Sequence, residues 1–121
     1  MNEKIKILYI DDEEINLELF TYNFSDKYEV ITGCCGSVGL EYLKKYPGIK
    51  IVISDMKMPN MNGLEFIAEA KKIFSDKCYY ILTGYDITEE IKTAIESQLV
   101  LRYFRKPFNI TEIENAISEV I

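Results

Sequence analysis

Histidine is absent from all 121 residues. That excludes a histidine general base, a Cys-His zinc site and an internal phosphohistidine relay, so any phosphohistidine has to come from another molecule. Cysteine is scarce: Cys34, Cys35 and Cys78 are an odd number without metal-type spacing and are expected to pack as small hydrophobes. Basic residues number 14 against 20 acidic ones, for a net charge of -6. No basic stripe is available to release counterions from a phosphate backbone, so nucleic acid is not expected as a direct partner. No apolar run reaches membrane-spanning length, and Met1-Asn2-Glu3-Lys4 mixes an acid and a lysine before a short run that Asp11 stops. Neither a signal peptide nor a membrane span is visible, and a cytoplasmic location is expected. Low-complexity tracts, repeats and Gly/Ser linkers are also missing, which leaves one globular domain over residues 1–121.

What is present is an alternation of two patterns. Short runs rich in β-branched and aromatic residues, Ile5–Ile10, Tyr28–Thr32, Ile49–Ile53, Cys78–Leu82 and Val100–Phe104, have strand length. Between them apolar residues recur at helical spacing. Ile15, Leu19 and Tyr22 beside Leu17, Phe20 and Phe24 predict a broad apolar helix face from about Glu13, with Asp12 as its cap. Ser37 is expected to start a second helix that Pro47-Gly48 ends. The capping-box spacing recurs at Asn62/Glu65, Asp86/Glu89 and Asn109/Glu112 and predicts the last three helices. Five β-α pairs force parallel pairing, and an open parallel sheet gathers its strands' carboxyl ends along one edge, where ligands bind.

Polar residues stand at that edge: Asp11-Asp12, Asp55, Thr83 with Gly84, and Lys106-Pro107. Asp11 and Asp12 alone read as capping residues. Asp55, after what should be the central strand, brings a third carboxylate toward them. Two such charges about 4 Å apart repel by roughly 4 kcal/mol at an effective dielectric near 20, so the cluster calls for a hard divalent cation, Mg2+ (or Mn2+). Lys106 can pair with Asp55 or with an incoming phosphoryl oxygen, and an X-Pro bond that turns cis can fix its direction. Arg102, Arg105 and Lys106 resemble a basic patch, but strand alternation sends them to different faces.

These residues, with Asp55-Met56-Lys57-Met58-Pro59-Asn60-Met61-Asn62-Gly63, closely resemble the receiver domain of two-component response regulators over the whole chain. The resemblance implies a flavodoxin-like (βα)5 doubly wound fold with a parallel sheet ordered 2-1-3-4-5. It implies Asp55 as phosphoacceptor, Asp11 and Asp12 as the acidic pair holding Mg2+, and the backbone carbonyl of Lys57 as a further metal ligand. Thr83 and Lys106 would contact the phosphoryl group, and Tyr103 matches the family's aromatic switch. Gln98-Leu99-Val100 departs from the small-residue turn common before the fifth strand. Lys57 and Tyr85 occupy positions where the family varies and where side chains can flank the phosphoryl group.

The expected function is a phosphorylation-controlled switch. Asp55 would accept phosphate from a histidine kinase or histidine phosphotransfer protein and be freed again by water, with self-catalysed transfer and no turnover of a separate substrate. The mark would be read by a downstream protein at the face from Asp86 to Ile121, built from the fourth helix, fifth strand and fifth helix, as a monomer or phosphorylation-dependent dimer. The alternative is a constitutive, phosphorylation-independent binding module of the same fold. An aspartyl phosphatase fits poorly because Asp55 is followed two positions later by Lys57 rather than an acid. A flavin-binding flavodoxin fits poorly because Asp11-Asp12-Glu13-Glu14 occupies the loop that would cradle a phosphate.

Overall fold

The computed structural model describes residues 3–121, so the part of the N-terminal reading that falls on Met1 and Asn2 lies outside the described residues. Five strands and five helices alternate: β1 Ile5–Ile10, α1 Glu14–Phe24, β2 Tyr28–Gly33, α2 Gly36–Lys45, β3 Ile49–Ser54, α3 Gly63–Ile73, β4 Cys78–Thr83, α4 Glu89–Glu96, β5 Arg102–Arg105 and α5 Ile110–Val120. All four pairings are parallel and the strand order is β2-β1-β3-β4-β5, as expected.

The strands read as continuous apolar runs because both sheet faces are covered. Successive residues point to opposite faces. Leu8, Ile10, Val52 and Ile81 therefore pack with Leu43, Phe66, Ile67, Ala70, Ile91 and Ala94 of α2, α3 and α4. Ile7, Tyr9, Ile51, Ile53, Tyr80, Leu82 and Phe104 pack with Phe20 and Phe24 of α1 and with Ile113, Ala116 and Ile117 of α5. Register then fixes the functional edge: Ile10 lies beside Ser54, Ser54 beside Ile81, and Thr83 beside Arg105.

Helix starts depart from expectation at three places. Asp12 is exposed and does not cap α1; Glu13 holds the cap position without a side-chain bond, and Asp11 Oδ1 instead accepts from the Glu13 N–H at 2.9 Å. The second helix begins at Gly36, with Cys35 rather than Ser37 at the boundary. At α4 Thr88, not Asp86, accepts from the Ile91 N–H, while the Asp86 carboxylate pairs with Arg105. The box at Asn62/Glu65 forms in both directions, and Asn109 accepts from the Glu112 N–H.

Two apolar expectations also change. On α1 the inward positions are Phe20 and Phe24, leaving Ile15, Leu19 and Tyr22 58%, 47% and 82% exposed. Cys34 is exposed rather than packed, and Cys35 and Cys78 are half-buried. The fifth strand starts at Arg102: Gln98 turns the chain with φ 67°, Leu99 and Val100 both donate N–H groups to the Ala94 carbonyl, and Val100 is buried before the strand begins. That arrangement closes α4 as a left-handed glycine would, with Gln98 in its place.

Candidate functional site

Backbone hydrogen bonds aim the site residues. The Asp55 N–H donates to the Ile10 carbonyl at 2.8 Å, extending the β1–β3 ladder to the loop where Asp11 starts. The Lys106 N–H donates to the Thr83 carbonyl at 2.7 Å, tying the end of β5 to the end of β4. Lys106-Pro107 is cis. At the start of α3, a Cβ on Gly63 would lie 2.3 Å from the Asp55 carbonyl oxygen, so the loop can fold back onto β3 only with glycine there.

The resulting edge holds Asp11, Asp12 and Asp55 together, each with a carboxylate oxygen within 4.8 Å of the others. Asp11 is fully buried, Asp55 is 6% exposed and Asp12 faces solvent. The Lys106 ammonium reaches Asp11 Oδ2 at 2.8 Å and Asp55 Oδ1 at 3.3 Å, so it is shared between two carboxylates and lies closer to Asp11. Asp55 Oδ1 also accepts from the Met56 N–H at 2.9 Å. Thr83 is buried at the end of β4, where its hydroxyl oxygen accepts from the Tyr85 N–H at 3.4 Å. Tyr103 is half-buried, and its hydroxyl donates to the Tyr85 carbonyl at 3.1 Å. The exposed Lys57 places its ammonium 4.2 Å from the centre of the Tyr85 ring, joining the loops after β3 and β4.

Charge and burial oppose each other here. Burial, then the nearby Asp11 charge, push the Asp55 carboxyl up to about 6, although Lys106 and the Met56 N–H pull it down. Burial alone would lower the Lys106 ammonium, but its hydrogen bond to Asp11 and the charge of Asp55 hold it above its ordinary value. The two directions are consistent: one cation cannot compensate two buried carboxylates, and the larger share of it lies on Asp11. A second cation would relieve the rest. Mg2+ takes oxygen ligands in octahedral geometry, and three carboxylates that each bring an oxygen within 4.8 Å of the others supply donors of the right type in one place.

Tyr9 is the site residue that the sequence reading passed over. Its hydroxyl donates to Asp11 Oδ2 at 2.6 Å from within the core. Period-two alternation, which sends Tyr9 and Asp11 to the same side of the strand, was the available signal.

Comparison with known proteins decides the family: the response regulator receiver domain matches residues 7–118. The chain belongs to that family. Sporulation initiation phosphotransferase F of Bacillus subtilis (strain 168) is 30% identical over 124 residues, covering 100% of this chain and 95% of that protein. A response regulator receiver domain protein from Clostridium thermocellum superposes with a TM-score of 0.84 at 33% identity, covering 95% of this chain and 92% of that one. The Vibrio cholerae chemotaxis protein CheY4 superposes with a TM-score of 0.88 at 24% identity, covering 98% and 100%. The chain spans only 22% and 24% of two hydrogenase transcriptional regulatory proteins, from Cupriavidus necator and Bradyrhizobium diazoefficiens, at 21% and 23% identity over 88% and 95% of this chain. Receiver domains serve phosphorylation-dependent signalling in two-component systems, as phosphoacceptors rather than enzymes, and bind Mg2+ at an acidic pocket. In this receiver domain the acidic cluster is Asp11, Asp12 and Asp55. Among the described residues no helix is long and apolar enough to cross a membrane.

Proposed function

We propose that this receiver domain is a switch set by transfer of a phosphoryl group to Asp55 from a phosphohistidine of a histidine kinase or phosphotransfer protein. The observation that carries this reading is the shared cation: Lys106 lies 2.8 Å from Asp11 and 3.3 Å from Asp55, beside the exposed Asp12. Asp11, Asp12, Asp55 and the Lys57 backbone carbonyl would hold Mg2+, which when bound offsets charge on the phosphoryl oxygens. Asp55 supplies the attacking oxygen. The P–N bond to the donor's imidazole breaks as the P–O bond forms, and the imidazole leaves with a proton from solvent. Lys106 is already aimed at Asp55 and can follow the new charge, while the Thr83 hydroxyl donates to a phosphoryl oxygen. Water later hydrolyses the acyl phosphate and restores the carboxylate.

The absence of histidine in this chain fits a donor in another molecule. A groove of about 310 Å³ lined by Tyr9, Leu19, Lys106, Pro107, Phe108 and Ile110 adjoins Lys106, and the exposed Ile15 and Leu19 lie on the same helix. We place the donor on that apolar surface. Output is assigned to the face of α4, β5 and α5: if Thr83 turns toward phosphate, the Tyr85 backbone follows, and the hydrogen bond from Tyr103 carries the change to β5.

Mass spectrometry of the intact protein with a small phosphodonor tests the reading. One phosphate is expected with Mg2+ and none with a chelator; equal uptake in both would remove the metal from the reaction. Tyr85 is expected to slow the loss of that phosphate, because its ring is held by Lys57 two positions beyond Asp55 and limits the approach of water. Replacing Tyr85→Ala should shorten the phosphate half-life several-fold, measured by following the phosphorylated mass after donor removal. An unchanged half-life would leave Tyr85 a surface residue.

A further inference from the structure

Two tyrosines carry hydroxyls into the same apolar layer, and only one of them is used. Tyr9 and Tyr80 are each 1% exposed and belong to the layer under α1 and α5. Tyr80 stacks on Phe104 with ring centres 5.5 Å apart, and among the described residues its hydroxyl is the one buried side-chain polar atom without a partner. Tyr9 stacks on Phe20 at 4.4 Å and donates to Asp11 Oδ2 at 2.6 Å. The same oxygen accepts from Lys106 at 2.8 Å, and Oδ1 accepts from the Glu13 N–H at 2.9 Å.

Three donors thus fix a carboxylate that is 0% exposed, so water does not readily replace any of them. They differ in rigidity. Lys106 ends a flexible stem and is shared with Asp55, whereas the Tyr9 ring is clamped in the core. Without the hydroxyl, the Glu13 N–H still holds Oδ1, but Oδ2 is held only by a cation that other charges also attract, so the tilt of the carboxylate toward Asp12 and Asp55 is fixed at one oxygen instead of two.

We propose that Tyr9 is a positioning residue for the divalent cation, acting through Asp11. This rests on the reading that Asp11, Asp12 and Asp55 hold Mg2+. Outer hydrogen bonds to metal-binding carboxylates are worth about 10–100-fold in affinity, and a single neutral donor belongs at the lower end.

The test is a Mg2+ titration of the unphosphorylated full chain without phosphodonor, read by calorimetry. Tyr9→Phe should bind Mg2+ about tenfold more weakly than wild type. Tyr80→Phe removes an equally buried hydroxyl from the same layer and should bind as wild type does. In an Asp11→Asn background, Tyr9→Phe should cause no further loss, because the carboxylate through which it acts is gone. Circular dichroism melts confirm that the variants are folded. Unchanged affinity in Tyr9→Phe, an equal loss in Tyr80→Phe, or a full further loss on Asp11→Asn would each overturn the proposal. Wild-type protein that fails to saturate with Mg2+ would instead strike the metal site itself, and this inference with it.

Discussion

Lys106→Ala is expected to lower the stability of the metal-free protein by about 3 kcal/mol near pH 8, the lower end of the cost of breaking a buried ion pair. The reason is that Asp11 and Asp55 are almost wholly buried and share this one ammonium. Tyr9 and the Glu13 N–H still serve Asp11 and the Met56 N–H still serves Asp55, which keeps the loss at that lower end. Because the folded protein holds Lys106 above its ordinary 10.5, the ammonium's contribution is fully present at neutral pH and fades only as pH rises beyond that value. Mg2+ should recover much of the loss, since it supplies positive charge to the same carboxylates. Denaturant unfolding with chelator and with Mg2+ gives the comparison. An equal loss in both would mean that Lys106 acts through packing and not through charge.

Asp55→Asn is expected to do the opposite, stabilising the metal-free protein in a pH-dependent way. Burial and the Asp11 charge raise the Asp55 carboxyl from 3.8 to about 6 in the folded state. The folded chain therefore keeps a proton there that the unfolded chain has released. Below about pH 4 both states are protonated and the group costs nothing; from there to about pH 6 wild-type stability falls as pH rises, and above 6 the cost is constant. That rise of the Asp55 carboxyl corresponds to about 3 kcal/mol. With chelator, Asp55→Asn should exceed wild type by about that amount at pH 8 and by little near pH 4. Added Mg2+ should narrow the gap at pH 8 by binding wild type preferentially. A gain that is the same at both pH values would show that the Asp55 charge is not the source.

Both effects arise at an edge whose membership was legible in the sequence. Runs such as Ile5–Ile10 and Ile49–Ser54 are buried on both faces, so their apolar character marks them without reference to partners, and the polar residue that ends each run marks the edge. The Asn62/Glu65 cap was legible for the same reason, since both of its bonds lie within four residues. What could not be read locally depended on tertiary partners. Asp86 has the spacing of a cap, but Arg105 of a distant strand competes for it and Thr88 takes the role. Asp12 follows a strand as a cap should, but Asp11 is the residue whose carboxylate meets the incoming N–H. On α1, apolar residues occur on several sides, and only the packing of Phe20 against Tyr9 and Phe24 against Tyr28 shows which side turns inward. Tyr9 itself reads as one more apolar strand residue until its hydroxyl is found on Asp11.

The exposed Ile15 and Leu19 then take on a meaning that helical periodicity alone would miss. Leu19 lines the groove beside Lys106 and Ile15 stands one turn before it on α1, an apolar edge over which the proposed donor would approach, while Tyr22 lines a separate hollow with Glu18 and Thr32. At the opposite side of the loop after β4, Tyr103 is tied to Tyr85, and Arg102 pairs with Glu119 across β5 and α5 at 3.1 Å. Donor and reader would thus use different surfaces joined through Asp55, Thr83 and Lys106. Such a division allows a phosphate to persist after the donor has left.

The most direct test compares wild type with Asp55→Asn after incubation with a small phosphodonor and Mg2+, counting phosphates on the intact protein. One phosphate is expected on wild type and none on Asp55→Asn, with the variant folded by circular dichroism. A phosphate on Asp55→Asn at the wild-type level would contradict the Asp55 assignment and place the acceptor elsewhere.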